Sequence, residues 1–212
     1  MTEYLDVFDC FMEKTGTEER KIVHSKGLWH QTFHCWIIKK VKNKIYVIFQ
    51  KRSEKKSDSP NMLDITAAGH LEVGETKEDG IREVKEELGI NVPYSNLKYL
   101  GIRIEVIDVP YFKNNEFQHV YLLEDNRNLE EYTLQESEVA GLVAIELNEG
   151  LKLLDGECSV LQCESVFLEN GKKVKKVINV RLEDIIPRLD NYYKKVFIMA
   201  ERYFSNCKYL SI

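Results

Sequence analysis

The run at residues 82–89, R-E-V-K-E-E-L-G, constrains the fold more than any other part of this chain. Glu83, Glu86 and Glu87 stand at positions i, i+3 and i+4, within a sector of roughly 100° on one face of a helix. The opposite face carries Ile81, Val84 and Leu88. The spacing therefore predicts an amphipathic helix that turns an apolar face to a core and a carboxylate face to solvent or a ligand.

The three carboxylates have two interpretations. Like charges this close repel one another by roughly a few tenths of a kcal/mol per pair on an exposed helix. A solvated acidic face is the commoner meaning of an isolated E-x-x-E-E pattern. A hard divalent cation would turn the repulsion into a binding site, because magnesium prefers carboxylate oxygens.

The residues around the helix favour the second interpretation. Gly69 is followed by five residues and then by Glu75. Residues 82–90 read Arg-Glu, an apolar residue, any residue, Glu-Glu, any residue, Gly, and an apolar residue. This arrangement resembles the Nudix box, and every fixed position of that pattern is filled here.

The loop before the helix departs from the family pattern. Six residues separate Glu75 from Arg82, whereas the family has seven. The missing residue lies before the helix, so the register of the carboxylates is unaffected. Thr76 and Asp79 could form a variant of a capping box at the helix start. The shortening leaves open whether Glu75 still reaches Arg82, with which it helps to orient the metal site in the family.

The resemblance implies both a fold and an activity. The expected fold is an α/β/α sandwich around a mixed β-sheet, and the expected activity is Mg²⁺- or Mn²⁺-dependent hydrolysis of a diphosphate linked to another moiety. The implied metal site comprises Gly69, Glu83, Glu86, Glu87 and, from outside the helix, Glu116. Catalytic roles are expected for Glu83, Glu86 and Glu116, and orienting roles for Arg82 and Glu75.

The composition agrees with one soluble globular domain over residues 1–212 and with a small-molecule substrate. Hydrophobic residues make up 43% of the chain and charged residues 31%, as in ordinary globular proteins. The net charge of −5 gives no electrostatic reason to expect a nucleic acid partner. No apolar run is long enough to span a membrane. The five cysteines lack zinc-type spacing, and reduced thiols in a cytoplasmic protein are expected.

Hydrophobic patterning predicts strands on both sides of the acidic helix. The expected strands lie at residues 4–9, 33–40, 44–50, 64–68, 97–109, 116–124 and 139–146. Turns are expected at residues 13–16, 41–43 and 113–115, and a charged loop at residues 51–61.

The last sixty residues add a hairpin and a helix. Strand-like runs at residues 159–168 and 173–180 flank Asn170-Gly171, a favoured hairpin turn. A long amphipathic helix is predicted over residues 182–204, because apolar side chains recur at steps of three and four. The stripe comprises Ile185, Ile186, Leu189, Tyr192, Tyr193, Val196, Met199, Ala200 and Tyr203. A stripe this wide needs a partner, either the sheet of its own domain or a second subunit in a homodimer.

Segments outside the box, within residues 1–145, are similar to isopentenyl diphosphate isomerase, a Nudix-fold relative in which histidines and two carboxylates hold a metal. The matching ligand positions are His24, His30, His70 and Glu116. Ala68 stands where the isomerase has its catalytic cysteine, and Asn114 where it has one carboxylate. Because alanine cannot transfer a proton, the chain is predicted to be a hydrolase on an isomerase-like frame and not an isomerase.

The same resemblance suggests substrate contacts from Arg52, Lys56, His30 and His70. Each has a simpler explanation, since charged loops are usually solvated and a single histidine is more often a hydrogen-bonded surface or core residue. Two other functions remain open, an isomerase-type enzyme and a non-catalytic Nudix-fold module that binds a phosphate ligand. All four box glutamates are retained, which favours hydrolysis. No segment indicates which diphosphate would be the substrate.

Overall fold

The computed structural model describes residues 2–109 and 112–212. Its strands, in chain order, are β1 Tyr4–Phe8, β2 Lys14–Glu19, β3 Trp29–Val41, β4 Lys44–Arg52, β5 Leu63–Asp64, β6 Ala67–His70, β7 Leu97–Val109, β8 Phe112–Glu124, β9 Val139–Glu146, β10 Leu161–Glu169 and β11 Lys172–Val180. The α-helices are α1 Arg20–Lys26, α2 Arg82–Leu88, α3 Leu147–Leu154 and α4 Tyr192–Phe204. Short 3₁₀ turns cover Asp79–Ile81, Tyr94–Asn96, Leu129–Glu131 and Leu182–Asp184.

The strands form a mixed sheet with β3 at its centre. The main path runs β11-β10-β9-β4-β3-β1-β2, with β5 paired to β4 and β6 paired antiparallel to β3. β8 pairs parallel to β3 along ten residues, and β7 pairs antiparallel to β8. The long strand β3 thus brings residues from β6 and β8 next to its own first half.

Helices cover both faces of the sheet, because β3 and its neighbours are apolar on both sides. Trp36 and Ile38 of β3 belong to one core with residues of α3 and α4. Phe33, Cys35 and Ile37 belong to the opposite core with Val84 and Leu88 of α2. The alternation of side chains along β3 therefore produces the predicted α/β/α layers.

Several predicted elements are confirmed. β7 and β9 have the predicted bounds, and β3 and β4 each extend beyond theirs. β10 and β11 form the predicted hairpin. Asn170 and Gly171 have φ values of 51° and 74°, as a two-residue type I′ turn requires. The N-terminal hairpin forms as well, but its turn precedes Lys14 and is not at residues 13–16.

The predicted turn at residues 113–115 is wrong, because these residues lie in β8. Asn114 pairs with Ile107 across the ladder and donates a hydrogen bond to Glu105 at 3.5 Å. Asn115 donates to the carbonyl of Gly27 at 2.7 Å. Polar side chains that resemble a turn in the sequence therefore lie inside the sheet, where the amide nitrogens of both asparagines donate hydrogen bonds and Asn114 Oδ1 is buried without a partner.

The C-terminal helix is about half as long as predicted. It begins at Tyr192. Before it, Ile185 and Ile186 pair with Leu63, residues 189–190 form a turn, and Asn191 has a φ of 56°. Pro187 disfavours helix at the residue before it and lacks the N–H that a helix interior needs. Leu189, predicted to be in the apolar stripe, is fully exposed. Tyr192, Tyr193, Val196 and Ala200 do pack on the sheet of the same chain.

Two helices, α1 and α3, were not predicted. No helix within the described residues has both the length and the apolar character needed to cross a membrane.

Candidate active site and metal centre

The box helix α2 is held by contacts at both of its ends. At its start, the Asp79 carboxylate accepts hydrogen bonds from the backbone N–H and the hydroxyl of Thr76, at 2.8 and 2.7 Å. This is the predicted capping variant. At its end, Gly89 has a φ of 69° and its N–H donates to the carbonyl of Lys85. With Val84 and Leu88 buried beneath it, the helix presents its glutamates beside the end of β6.

Arg82 connects the glutamates around it. Its Nε and Nη2 donate to the two oxygens of Glu75 at 2.6 and 2.9 Å. Its Nη1 donates to Glu83 Oε1 at 2.5 Å, and Nη2 also donates to the carbonyl of His70 at 2.8 Å. Glu75 therefore reaches Arg82 in spite of the shortened loop, and the paired arginine fixes its carboxylate neighbours.

Glu83 and Glu87 approach β6 closely. A Cβ added at Gly69 would lie 2.1 Å from Glu83 Oε1, so only glycine leaves room for this carboxylate. Glu87 accepts a hydrogen bond from the backbone N–H of Ala68 at 3.0 Å and is buried. Glu86 is half exposed and lies 3.3 Å from Arg82 Nη1. The structure thus brings the four metal-site residues of the predicted box together.

The electrostatics of these carboxylates fit a cation. Burial is the main reason that the pKa of Glu83 rises from its ordinary value of 4.5 to about 7, against the lowering effect of Arg82. Burial, and then the charge of Glu83, raise the pKa of Glu87 well above its usual range. Burial disfavours the charged forms of both carboxylates, and a nearby cation would compensate their charge. Carboxylate oxygens are also the ligands that a hard divalent ion prefers.

The other predicted ligand, Glu116, lies in a separate cluster. Its Oε1 is 3.5 Å from His30 Nε2, since Glu116 on β8 is paired with His30 on β3. One ring nitrogen from each of His24, His30 and His70 lies within 4.8 Å of the others. In the described part of the chain, Glu116 accepts a hydrogen bond from Gln118 through Oε2, and its Oε1 faces His30 Nε2. It does not bond to the box glutamates.

The histidine cluster also has the chemistry of a metal site. Burial lowers the pKa of His70 well below its usual value and lowers that of His24, which favours neutral imidazoles. His30 Nδ1 lies 3.0 Å from the carbonyl of Leu28, so its proton points there and Nε2 faces Glu116. Nε2 of His30 and Nε2 of His70 are buried without a hydrogen-bond partner. Buried nitrogen lone pairs beside a carboxylate suit a transition-metal ion.

Arg52 and Lys56, the two basic residues predicted to contact the substrate phosphate, each bind acidic groups of the protein itself. Arg52 is buried and donates to the backbone and carboxylate of Asp58 at 2.9 and 2.7 Å, with Asp64 at 3.5 Å. Lys56 forms an ion pair with Glu138, and its charge lowers the pKa of Glu87. Lys56 therefore lies near the box, whereas Arg52 holds its own loop together.

Glu138 is a candidate that the sequence did not reveal. Its charge raises the pKa of Glu87. The loop before β9 brings it there, because the backbone N–H groups of Thr133 and Gln135 donate to the carbonyls of Leu88 and Glu87 at 2.9 and 3.0 Å. These backbone contacts leave no pattern in the sequence.

Comparison with known proteins decides the family. The family model of the NUDIX domain matches residues 28–157, more than half of the chain. The chain belongs to the Nudix family. It is 40% identical over 195 residues to an uncharacterized Nudix hydrolase of Clostridium acetobutylicum, a match that covers 92% of this chain and 95% of the relative. The protein is thus a Nudix hydrolase.

Two further matches concern its branch and its fold. This Nudix hydrolase is 34% identical over 91 residues to an isopentenyl-diphosphate Delta-isomerase of Aliivibrio fischeri, covering 42% of this chain and 50% of that enzyme. The crystal structure of a Deinococcus radiodurans protein superposes with a TM-score of 0.54 at 21% identity, covering 73% of this chain and 90% of the other. The second match confirms the fold.

Proposed function

We propose that this Nudix hydrolase cleaves a phosphoanhydride in a diphosphate linked to another moiety, and that it uses Mg²⁺ or Mn²⁺. The observation that carries the proposal is a pair of carboxylates, the largely buried Glu83 and the buried Glu87, held against the glycine and backbone N–H of β6. Buried like charges at such a site are unfavourable without a cation.

Each residue of the site has a role in this proposal. Glu83, Glu86 and Glu87 would hold the ion beside Gly69, while Arg82 with Glu75 keeps Glu83 in place. When bound, the ion would polarise phosphoryl oxygens and make water more acidic. In the hydrolysis, a water oxygen would attack phosphorus, its proton would pass to a carboxylate, and the phosphate or phosphoester would leave.

Glu138 is the proposed proton acceptor. Its carboxylate is partly exposed and lies close enough to Glu87 to interact with it electrostatically. Lys56, its ion-pair partner, is positioned to meet a substrate phosphate when that pair opens.

Glu116 has a different proposed role. With His24, His30 and His70 it would hold a second, softer ion in the cluster described above. This assignment rests on the buried Nε2 atoms of His30 and His70 and on the short distances among the rings.

The same cluster favours a second candidate, an isomerase-type enzyme, because its residues match the isomerase ligand positions. Against this candidate, Ala68 packs against the apolar core on the α4 side and offers no proton. The expected result is no dimethylallyl diphosphate from isopentenyl diphosphate, measured by mass spectrometry of the product. Detection of the isomer with the wild-type protein would overturn the preference.

A substrate panel tests the proposal directly. Purified protein with Mg²⁺ is offered nucleoside diphosphate sugars, dinucleotides, coenzyme derivatives, prenyl diphosphates and oxidised nucleotides, beside a Glu83→Gln, Glu87→Gln variant. Hydrolysis of one class by the wild type alone supports the proposal. Binding of a phosphate ligand with no turnover would instead indicate a non-catalytic binding module.

A further inference from the structure

The segment before α4 is attached to the sheet on the side of the histidine cluster. Ile186 donates its backbone N–H to the carbonyl of Leu63 at 3.1 Å, and Ile185 forms a bridge with Leu63 and is buried. Leu189 is fully exposed in the turn at residues 189–190, whereas Arg188 and Asp190 bind side chains of β7.

Arg188 is bound to carboxylates on two strands. Its Nη1 lies 2.6 and 2.8 Å from the two oxygens of Glu105 on β7. Its Nη2 donates to Asp64 on β5 at 3.4 Å. Arg103 also donates to Glu105, from Nη1 and Nη2 at 3.0 Å each. Glu105 is therefore fixed by two guanidinium groups, one of which comes from the C-terminal segment.

Glu105 is joined to Glu116 through one side chain, Gln118. The Gln118 amide nitrogen donates to Glu105 Oε2 at 3.3 Å and to Glu116 Oε2. The Gln118 carbonyl oxygen accepts from Arg103. Gln118 is fully buried, so its amide has no solvent alternative. Because the amide occupies Oε2 of Glu116, Oε1 remains directed at His30.

The charges explain why this chain of contacts needs Arg188. Glu105 and Glu116 are directly opposite each other on β7 and β8, and both are buried. Two carboxylates in this arrangement repel unless cations compensate them. Arg103 compensates a second carboxylate as well, because its Nε and Nη2 each donate a hydrogen bond of 2.8 Å to Asp190. Arg188 therefore supplies a large share of the charge that keeps Glu105 in place.

We propose that Arg188 is a positioning residue for the histidine and Glu116 centre, acting through Glu105 and Gln118 on the carboxylate of Glu116. This inference rests on the proposed function of that centre as a cation site. It gives the C-terminal extension a part in the site, beyond its packing in the core. Residues behind metal ligands commonly change metal affinity by about 10- to 100-fold when they are removed.

The test measures Co²⁺ binding to the full chain by its visible absorption and by calorimetry, with His30→Ala identifying the signal of the cluster. An Arg188→Met, Glu105→Gln pair removes the contact without leaving a buried charge unpaired. We expect it to weaken Co²⁺ binding by about 10- to 100-fold and to shift the absorption bands. The single variant Arg188→Lys, which keeps a positive charge beside Glu105, should bind Co²⁺ more tightly than that pair and less tightly than the wild type. Gln118→Met, which leaves every arginine in place, should reproduce the loss if the pair fails to fold.

Two controls separate positioning from packing. Ile185→Ala loosens the same segment without touching Glu105, so it should lower stability and leave the Co²⁺ spectrum unchanged. Arg202→Met removes a partly exposed arginine of α4 that donates to the carbonyl of Tyr209, and it should change neither stability nor the Co²⁺ spectrum.

The outcomes for this inference and for hydrolysis are distinct. Wild-type Co²⁺ affinity in the Arg188→Met, Glu105→Gln pair and in Gln118→Met, with the signal lost in His30→Ala, would overturn the role of Arg188 and leave the centre intact. Absence of the His30-dependent signal from the wild type would overturn both the role of Arg188 and the cation site at the histidine cluster. A negative substrate panel beside weakened Co²⁺ binding would overturn hydrolysis alone.

Discussion

At the scale of single residues, Gly69 shows how one missing Cβ shapes the site. A methyl group there would meet Glu83 Oε1 at 2.1 Å. The contact is with the end of a flexible side chain, so the fold can accept Gly69→Ala by moving the carboxylate. That movement would take Glu83 away from the proposed ion site. We expect a loss of turnover on the order of 100-fold in steady-state assays, with little change in Tm.

Gly16→Ala is the matched control, because its new Cβ would meet only Val7 Cγ2, at an ordinary 3.8 Å. It should change neither activity nor Tm. Full activity of Gly69→Ala would contradict the placement of Glu83 at the ion.

The largely buried Glu83 carboxyl also makes the stability of the metal-free protein sensitive to pH. Its carboxyl has a pKa of about 7 in the folded state, raised mainly by burial from an ordinary 4.5. A raised carboxyl pKa means that the folded state holds the proton more tightly, so stability falls as the pH rises from about 4.5 through 7. Glu83→Gln lacks this penalty. We expect it to be more stable than the wild type by about 3 kcal/mol at pH 8, and by less than about 1 kcal/mol at pH 5.

Urea unfolding in EDTA at the two pH values measures this difference. Glu86→Gln, at a half-exposed side chain, should show little change between them. A wild-type protein that is more stable than Glu83→Gln at pH 8 would show that the Glu83–Arg82 contact outweighs burial.

At the scale of elements, α4 stabilises the sheet through a few large side chains. Phe197 is buried, lies 6.0 Å from Phe49 between ring centres, and packs on Gly150 of α3. Phe197→Ala should lower the free energy of unfolding by roughly 3 to 5 kcal/mol through the cavity that it leaves. Chemical denaturation measures this. The neighbouring Ile198→Ala, at a partly exposed position, should cost much less, and equal losses would contradict the packing of α4 on the sheet.

Elements could be predicted where local pattern and burial agree. The apolar run of β9 and the two-faced helix α2 each carry their own signal, and so does the Asn170-Gly171 turn. The prediction failed over residues 185–191, where helical spacing continues across Pro187 but Ile185 and Ile186 pair with Leu63 and a turn follows at residues 189–190. It failed again at Asn114 and Asn115, whose partners, Glu105 and Gly27, are distant in sequence.

At the scale of the whole molecule, the sheet collects residues that the sequence keeps apart. Helical spacing alone predicted that Glu83, Glu86 and Glu87 meet, whereas Gly69 and Glu75 were assigned to the site by resemblance. Glu116 and His30 were matched to ligand positions only by resemblance, and the parallel pairing of β3 with β8 brings them together. Glu138 and Arg188 could not be predicted, because backbone contacts and a buried ion-pair network place them.

The fold contains two candidate cation sites that differ in their ligand atoms. The box offers carboxylate oxygens, which suit magnesium, and the cluster of His24, His30, His70 and Glu116 adds imidazole nitrogens, which suit softer ions. Magnesium therefore reports on the box with little contribution from the histidines.

The central claim is that the box carboxylates hold the ion needed for hydrolysis. The most direct measurement is a Mg²⁺ titration, by calorimetry and by turnover of the best substrate, of the wild type and a Glu86→Gln, Glu87→Gln variant. We predict saturable Mg²⁺ binding and Mg²⁺-dependent turnover in the wild type, and at least about tenfold weaker binding with no detectable turnover in the variant. Equal Mg²⁺ affinity in the two proteins would contradict the claim.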